Sequence, residues 1–234
     1  MTPRPRRHTP TTLAQRPRAD QQRRPDLEHD VERPAAGDLE RLIFLSDGVF
    51  AIAMTLLVVE LTVPEITSGS ATDLGQRLGS LGPRYFSYAV SFVVIASYWR
   101  AHQRIFGHIV RCDARLVWCN LLLLLCIAFQ PFPTSVLGSY GGNSAAVTLY
   151  AGTLAVTGVV VLALWLYATL GGRLVTRDLA PRVIQEQTWR AASVPLVFAL
   201  SIGIAQVNPL AAEYSWLALA ALLTALRWWY RDST

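Results

Sequence analysis

The chain has 234 residues, of which 52% are hydrophobic and 16% are charged, and its formal net charge is +5. A soluble domain carries about 25% charged residues, and here sixteen of the 37 formal charges fall within residues 1–41. This distribution excludes a single soluble globular domain and indicates a polar tail followed by a membrane-embedded body.

The polar tail covers residues 1–40, which are rich in Arg, Pro, Gln and acidic residues and contain no apolar run. We predict that this tail is disordered and cytoplasmic, and we expect no signal peptide, which would require an apolar run directly after a short basic region. The arginines outside the tail lie in short loops between apolar runs. A nucleic-acid-binding domain would gather such charge on one folded face, so we expect no nucleic-acid partner.

Six apolar runs follow the tail, each close to the roughly 20 residues that a bilayer-spanning helix needs. They cover residues 42–63, 85–106, 116–137, 145–170, 191–207 and 210–230. Pro131 and Pro133 predict a kink or break in the third run, and Pro195 lies near the start of the fifth, where its missing N–H costs least. The sequence therefore predicts an all-α, polytopic membrane protein in which residues 41–231 form a domain of six transmembrane helices.

Arginine placement predicts the orientation of the chain, because arginines near the ends of spans favour the cytoplasmic side. The connection over residues 64–82 carries only Arg77. The loops after the second and fourth runs and the C-terminus are rich in arginine and hold Arg100, Arg104, Arg111, Arg115, Arg173, Arg177, Arg182, Arg190, Arg227 and Arg231. All of these fall on one side of a six-span protein, so we expect both termini to be cytoplasmic.

Motifs for catalysis are missing from the sequence, which contains no HExxH, no GxSxG and no P-loop. The loops are too short to hold a soluble catalytic domain. His102 and His108 do not share a helix face, and Cys112, Cys119 and Cys126 lack a fourth ligand. We therefore predict no metal site, interpret the cysteines as packing residues, and expect neither an enzyme nor a cofactor.

The first apolar run combines a one-sided apolar stripe with a charged residue. At about 100° per residue, Ile52, Leu56 and Val59 align on one face of a helix, with Thr55 at its edge. Ser46 and Asp47 lie off this stripe. One face of the helix is therefore apolar with a single hydroxyl, and the other carries hydrogen-bonding groups near its N-terminal end.

A carboxylate in hydrocarbon must find hydrogen-bond partners. Candidates at the depth of Asp47 are Trp99 and His102, which share a helix face, and Asn120 at the start of the third run. Each of these side chains can donate to a carboxylate. We predict that Ser46 and Asp47 attach the first helix to the second and third helices. The alternative is a surface ion pair between Asp47 and an arginine.

The start of the first run resembles a known motif, Arg-x-x-x-Phe-Ser-Asp of the transmembrane protein 175 family. The matching residues are Arg41, Leu45, Ser46, Asp47 and Gly48, with Leu45 standing where the family usually has Phe. That change keeps apolar bulk but loses an aromatic contact. Further similarity is found in the continuation 49–57, in Trp99 with His102, and in Asn120 followed by a leucine run and Pro131-Phe132-Pro133. The family includes the endolysosomal potassium channel of animals and shorter prokaryotic homologues.

The resemblance implies a homotetrameric potassium channel of the prokaryotic cell membrane, in which the first helix of each subunit lines a central pore. It implies that rings of Ile52, Leu56 and Val59 form a hydrophobic constriction in place of a carbonyl filter. We expect the Ile52 ring to be the narrowest point, and we expect Thr55 to contribute to a weak preference for potassium over sodium. The partners are then sister subunits and membrane lipids, and potassium is the permeant ion.

Two other functions remain open from the residues alone. A secondary transporter would show internal repeats, and none is convincing between the two halves of this chain. A non-conducting structural membrane protein would need no water-lined path. Periodicity alone also leaves open that the stripe of the first helix packs against lipid or another helix.

Overall fold

The computed structural model describes residues 24–61, 71–176 and 178–216. Seven α-helices lie within these segments: α1 (Arg24–Val59), α2 (Ala71–Ser80), α3 (Gly82–Phe106), α4 (Ala114–Phe129), α5 (Pro131–Ser139), α6 (Ser144–Thr169) and α7 (Pro181–Ala205). A short 3-10 helix, Leu170–Gly172, follows α6, and residues 209–216 are also helical. The fold is therefore all-α over the part of the chain that the structure describes.

Four helical segments within the described residues are long and apolar enough to cross a membrane: Gly37–Val59, Ala114–Ser139, Ser144–Gly172 and Pro181–Ala205. They correspond to the first, third, fourth and fifth predicted runs. Helix α3 covers the second run with 25 residues, but its three arginines, together with polar residues such as Ser91 and His102, lower its mean hydropathy. The sixth run lies largely outside the described residues, so the number of six spans stays a prediction.

Two helices begin earlier than the apolar runs indicated. Helix α1 begins at Arg24, within the predicted tail 1–40, and it ends at Val59. Residues 1–23 lie outside the described residues, so the disorder of the tail stays a prediction. Helix α7 begins at Pro181, because proline is favoured in the first turn of a helix. Pro195 lies inside α7 and does not end it. An apolar run marks only the part of a helix in hydrocarbon, so it misses polar turns beyond the membrane.

The third run contains the predicted break: α4 ends at Phe129 and α5 begins at Pro131, with Gln130 between them. Pro131 and Pro133 have no N–H to donate to the preceding turn. The backbone N–H of Gln130 donates to the carbonyl of Ile127, three residues earlier, at 3.1 Å. The two helices together still form one apolar segment of 26 residues.

Among the described residues, the apolar part of α1 has helical neighbours on one side only. Helix α6 packs along α7, α1 packs against α3 and α4, and α3 packs against α5. The approach of α6 to α7 is close at Gly158, where an added Cβ atom would lie 2.8 Å from the Cδ atom of Pro195. The largest fully buried side chains include Trp165, Tyr150, Phe50 and Phe198.

The loops after α3 and after α6 meet at one end of the bundle. Ile109 and Val175 form an antiparallel bridge, and the N–H of Val110 donates to the carbonyl of Leu174 at 2.8 Å. These contacts join the α3–α4 connection to the α6–α7 connection at the end where the loop arginines are concentrated.

Candidate functional site

Helix α1 buries one face within its own subunit. The buried positions recur every three or four residues, as expected for one side of a helix. They are Leu42, Ser46, Phe50, Ala53 and Leu57. This face fixes α1 against α3 and α4 and thereby sets which residues point away from the subunit.

The apolar stripe predicted from the sequence lies on the opposite, exposed side of α1. The side chains of Ile52, Leu56 and Val59 are 59%, 43% and 70% exposed, and Thr55 is exposed beside them. The Thr55 hydroxyl donates to the carbonyl of Ile52 at 2.8 Å. The hydroxyl hydrogen is thus used within the helix, and the oxygen lone pairs stay available to a cation.

The motif residues Arg41, Leu45 and Gly48 are exposed as well and extend this side of α1 towards its N-terminal end. A Cβ atom added at Gly48 would meet no heavy atom within 4 Å. Packing inside the subunit therefore does not require glycine at this position.

Ser46 connects α1 to α4 and, through α4, to α3. The Asn120 amide nitrogen donates to the Ser46 hydroxyl at 2.9 Å, and this hydroxyl donates to the carbonyl of Leu42 at 2.7 Å. The Asn120 amide oxygen lies 2.9 Å from Nε2 of His102. Because that oxygen can only accept, Nε2 of His102 carries the proton and donates. The result is a directed chain of hydrogen bonds through three helices.

The His102 ring is completely enclosed, with only 1% of the residue exposed. It stacks on Phe106 with ring centroids 4.1 Å apart and lies 5.7 Å from the Phe50 ring. The Nδ1 atom has no hydrogen-bond partner among the described residues. Packing against Phe106 and Phe50 and the hydrogen bond from Nε2 to Asn120 therefore fix the orientation of the His102 ring.

Asp47 connects α1 to α3 through a separate pair of donors. Nε1 of Trp99 donates to Oδ1 of Asp47 at 2.8 Å, and the amide of Gln103 donates to the same oxygen at 2.6 Å. Of the three predicted candidates for Asp47, only Trp99 contacts it, since His102 and Asn120 belong to the Ser46 chain. Gln103 was missed, although it lies four residues after Trp99 and therefore on the same face of α3.

A second buried polar cluster, which the sequence analysis did not identify, joins α3, α5 and α6. The hydroxyls of Ser91 and Tyr150 lie 2.9 Å apart, and the Thr134 hydroxyl is 2.9 Å from that of Ser91. The Gln130 amide donates to the Thr157 hydroxyl at 3.4 Å. These contacts hold the helix break at Gln130 against its two neighbours.

Within the described residues, no three His, Cys, Asp or Glu side chains come together to hold a metal ion. Cys112, Cys119 and Cys126 are partly buried and free. Burial, with the nearby charges of Asp113 and Asp38, raises the pKa of the Cys112 thiol, which keeps it protonated and unreactive at neutral pH.

The exposed stripe and every hydrogen-bond partner of the Ser46 and Asp47 side chains lie within residues 41–131, which match the family model described as endosomal/lysosomal potassium channel TMEM175. A Chamaesiphon minutus protein named a potassium channel is 37% identical over 150 residues, covering 63% of this chain and 74% of that protein. The chain belongs to the TMEM175 family. This confirms the predicted resemblance to the family. Because the TMEM175 family consists of ion channels, the prediction that this protein is not an enzyme is also confirmed.

Two further comparisons agree with membership of the TMEM175 family. A protein of Streptomyces collinus named a potassium channel is 34% identical over 172 residues, covering 72% of this chain and 82% of that protein. The crystal structure of a lysosomal potassium-selective channel TMEM175 homologue from Chamaesiphon minutus superposes with a TM-score of 0.72 at 30% identity. That superposition covers 82% of this chain and 98% of the homologue.

Proposed function

We propose that this TMEM175 family member is a potassium-conducting channel of the prokaryotic cell membrane. It assembles as a homotetramer of six-span subunits with both termini in the cytoplasm. Support comes from the two bacterial relatives described above, both of which are named potassium channels. The concentration of arginines in alternate loops supports the orientation.

The observation that carries the proposal is the one-sided burial of α1. Ile52 and Val59 are 59% and 70% exposed, whereas Phe50 and Leu57 on the same helix are fully buried. A helix fixed in this way through one face can present its other face to a shared axis. Four copies around that axis would stack rings of Ile52, Leu56 and Val59 at intervals of about one turn, roughly 5 Å.

Rings of aliphatic side chains control conduction by excluding water. An ion entering the Ile52 ring loses hydration without gaining ligands, so a narrow ring closes the path and a wider one wets it. The Thr55 hydroxyl oxygen offers a partial substitute for water and favours cations, because its hydrogen is bonded to the Ile52 carbonyl. Potassium holds its hydration shell less tightly than sodium, which gives a weak preference for potassium.

The test is potassium efflux from liposomes that contain purified protein with Ile52→Asn. We expect efflux to rise several-fold, because a polar ring stays wet at a diameter that an aliphatic ring does not. The matched control is Val58→Asn, which changes a residue that is 51% exposed on α1 but lies off the stripe. Wild-type efflux from Ile52→Asn, or an equal rise from Val58→Asn, would contradict the assignment of the stripe to the pore.

Replacing potassium with sodium and then with a large organic cation separates the channel from its alternatives. A channel passes potassium best, passes sodium more slowly and excludes the large cation. Uptake that requires a second, coupled solute would indicate a secondary transporter. Absence of any ion flux from wild type and Ile52→Asn alike would indicate a structural membrane protein.

A further inference from the structure

A long apolar groove runs between α3, α6 and α7, on the opposite side of α3 from its contact with Asp47. Its cavity is about 410 Å³, within the range of about 300–1,000 Å³ found for ligand sites. Its walls are formed mainly by aliphatic and aromatic side chains, including Val90, Val94, Val161, Val194 and Phe198. Two apolar residues at its edge, Phe86 and Val93, are 48% and 62% exposed, so the groove opens to the surroundings of the helices.

Most of the polar side chains of the groove lie at its end nearest the loop arginines, although Glu213 and Ser97 also line it. Arg104 of α3 and Arg190 and Gln187 of α7 line this end. The guanidinium of Arg190 forms an ion pair with Glu186 at 2.5 Å. Its Nε atom is buried without a hydrogen-bond partner among the described residues.

This arrangement matches an anionic phospholipid. Acyl chains fill apolar grooves at membrane depth, and guanidinium groups bind phosphate oxygens at the membrane surface. Basic pockets between transmembrane helices on the cytoplasmic side bind anionic head groups in this way. From Arg190 to Phe198, the apolar part of α7 rises about 12 Å at 1.5 Å per residue, enough for a substantial part of one acyl chain.

We propose that this groove binds an anionic phospholipid of the cytoplasmic leaflet, with one acyl chain between α3 and α7 and the phosphate beside Arg104 and Arg190. The proposal rests on the orientation proposed above and is independent of ion conduction. The competing occupants are a second copy of the chain and the segment 217–234, which follows Trp216 at the groove wall.

The test measures lipid retained on the purified full-length protein by native mass spectrometry. The probes are phosphatidylglycerol and phosphatidylcholine with identical acyl chains. Wild type should retain phosphatidylglycerol preferentially. Arg190→Gln should weaken phosphatidylglycerol binding about tenfold, equivalent to about 1.4 kcal/mol, and should weaken phosphatidylcholine binding less, because the choline cation offsets the charge of the same phosphate. The control is Arg173→Gln, which removes the same charge from an exposed position outside the groove and should change neither affinity.

A second variant covers the case in which Arg190→Gln fails to fold, because it leaves Glu186 without its ion pair. Ala101→Phe fills the groove beside the head-group end and keeps both arginines, so it should reduce the binding of both lipids. Equal loss from Arg173→Gln and Arg190→Gln would overturn the proposal in favour of general surface charge. Unchanged binding in Ala101→Phe would overturn it in favour of a groove that another part of the protein fills.

Discussion

At the scale of single residues, Ser46 and Asp47 are neighbours in the sequence but bind different helices. Ser46 accepts a hydrogen bond from Asn120 of α4, and Asp47 accepts hydrogen bonds from Trp99 and Gln103 of α3. Interhelical hydrogen bonds in membranes contribute about 0.6 kcal/mol each on average. These hydrogen bonds fix the rotation of α1 about its own axis, because Ser46 is bonded to α4 and the adjacent Asp47 is bonded to α3.

Asp47→Ala removes the acceptor shared by Trp99 and Gln103 and leaves two partly buried donors unpaired. Each unsatisfied donor costs about 1–3 kcal/mol, so we expect a lower midpoint of thermal unfolding in detergent. Asp47→Asn keeps one acceptor oxygen and should fall between this variant and wild type. The control is Glu40→Ala, which removes an exposed carboxylate from the same helix. Equal midpoints for the variants at positions 40 and 47 would contradict the prediction.

Asp113 lies outside the membrane spans and accepts two hydrogen bonds that join α4 to α6. Its Oδ1 atom accepts the N–H of Leu116 at 2.8 Å and caps α4, and its Oδ2 atom accepts the hydroxyl of Tyr167 at 2.5 Å. Burial on its own raises the pKa of the Asp113 carboxyl. The hydrogen bonds from Tyr167 and Leu116 and the charge of Arg115 outweigh burial, so the pKa lies below its ordinary value.

A lowered pKa means that the ionised Asp113 stabilises the folded protein above the ordinary pKa, about 3.9, and that this stability is lost as the pH falls through the lowered value. Asn caps helices about as well as Asp, so Asp113→Asn isolates the charge. We expect wild type to unfold at a higher temperature than Asp113→Asn at pH 6, and the difference to shrink below about pH 4. The same difference at every pH would contradict the charge-based explanation, and Asp178→Asn, at an exposed position, serves as the control.

At the scale of elements, the contact between α6 and α7 depends on the missing side chain of Gly158. An added Cβ atom would lie 2.8 Å from Cδ and 3.0 Å from the backbone nitrogen of Pro195. The proline ring is rigid and is part of the α7 backbone, so it cannot move aside as a flexible side chain would. The glycine and the proline therefore act as a matched pair in the packing of the two helices.

Gly158→Ala should destabilise the protein by about 1–3 kcal/mol, the usual cost of overpacking a core. The control is Gly152→Ala on the same helix, where an added Cβ atom meets nothing within 4 Å. That change should be neutral or stabilise the helix by up to about 1 kcal/mol. Thermal unfolding of both variants in detergent measures the difference, and equal effects would show that the approach to Pro195 does not limit stability.

The sequence predicted structural elements correctly where a helical repeat of apolar residues or a single proline determines the local structure. The spacing of Ile52, Leu56 and Val59 identified one face of α1, and Pro131 identified the break between α4 and α5. Gln103 could have been included by the same spacing rule that grouped Trp99 with His102. The cluster of Ser91, Thr134 and Tyr150 could not be found in this way, because its members come from three helices and no period within one run relates them.

Helix boundaries and connections were harder to predict. The start of α1 at Arg24 lies in polar sequence, where an apolar-run criterion gives no signal. Helix α2 lies in the connection over residues 64–82, which falls between two apolar runs, and its residues 74–80 are exposed. The span predictions were based on burial of apolar residues in hydrocarbon. Neither the first turns of α1 nor helix α2 depends on such burial, so this criterion could not predict them.

At the scale of the whole molecule, a single subunit leaves large apolar side chains exposed on several helices. Val59 of α1, Trp118 and Leu125 of α4 and Leu200 of α7 are 70%, 72%, 67% and 61% exposed. In a membrane protein such surfaces face lipid acyl chains or other subunits. The proposed assembly turns the exposed side of α1 towards the central axis that the four subunits share.

Purified protein should therefore have the mass of four copies of the 25.8 kDa chain, measured by light scattering with the detergent contribution subtracted. Ile52→Asn should keep this mass, because in the proposed assembly Ile52 faces the pore and does not join one subunit to the next. A monomer or dimer would contradict the proposed assembly, and a loss of tetramers only in Ile52→Asn would mean that the stripe holds subunits together.

The double attachment of α1 also restricts how a conduction path can widen. Helix α1 is hydrogen-bonded to α4 through Ser46 and to α3 through Asp47, so it cannot rotate about its own axis unless these hydrogen bonds break. In the proposed channel, any widening that keeps these hydrogen bonds moves α1 together with α3 and α4.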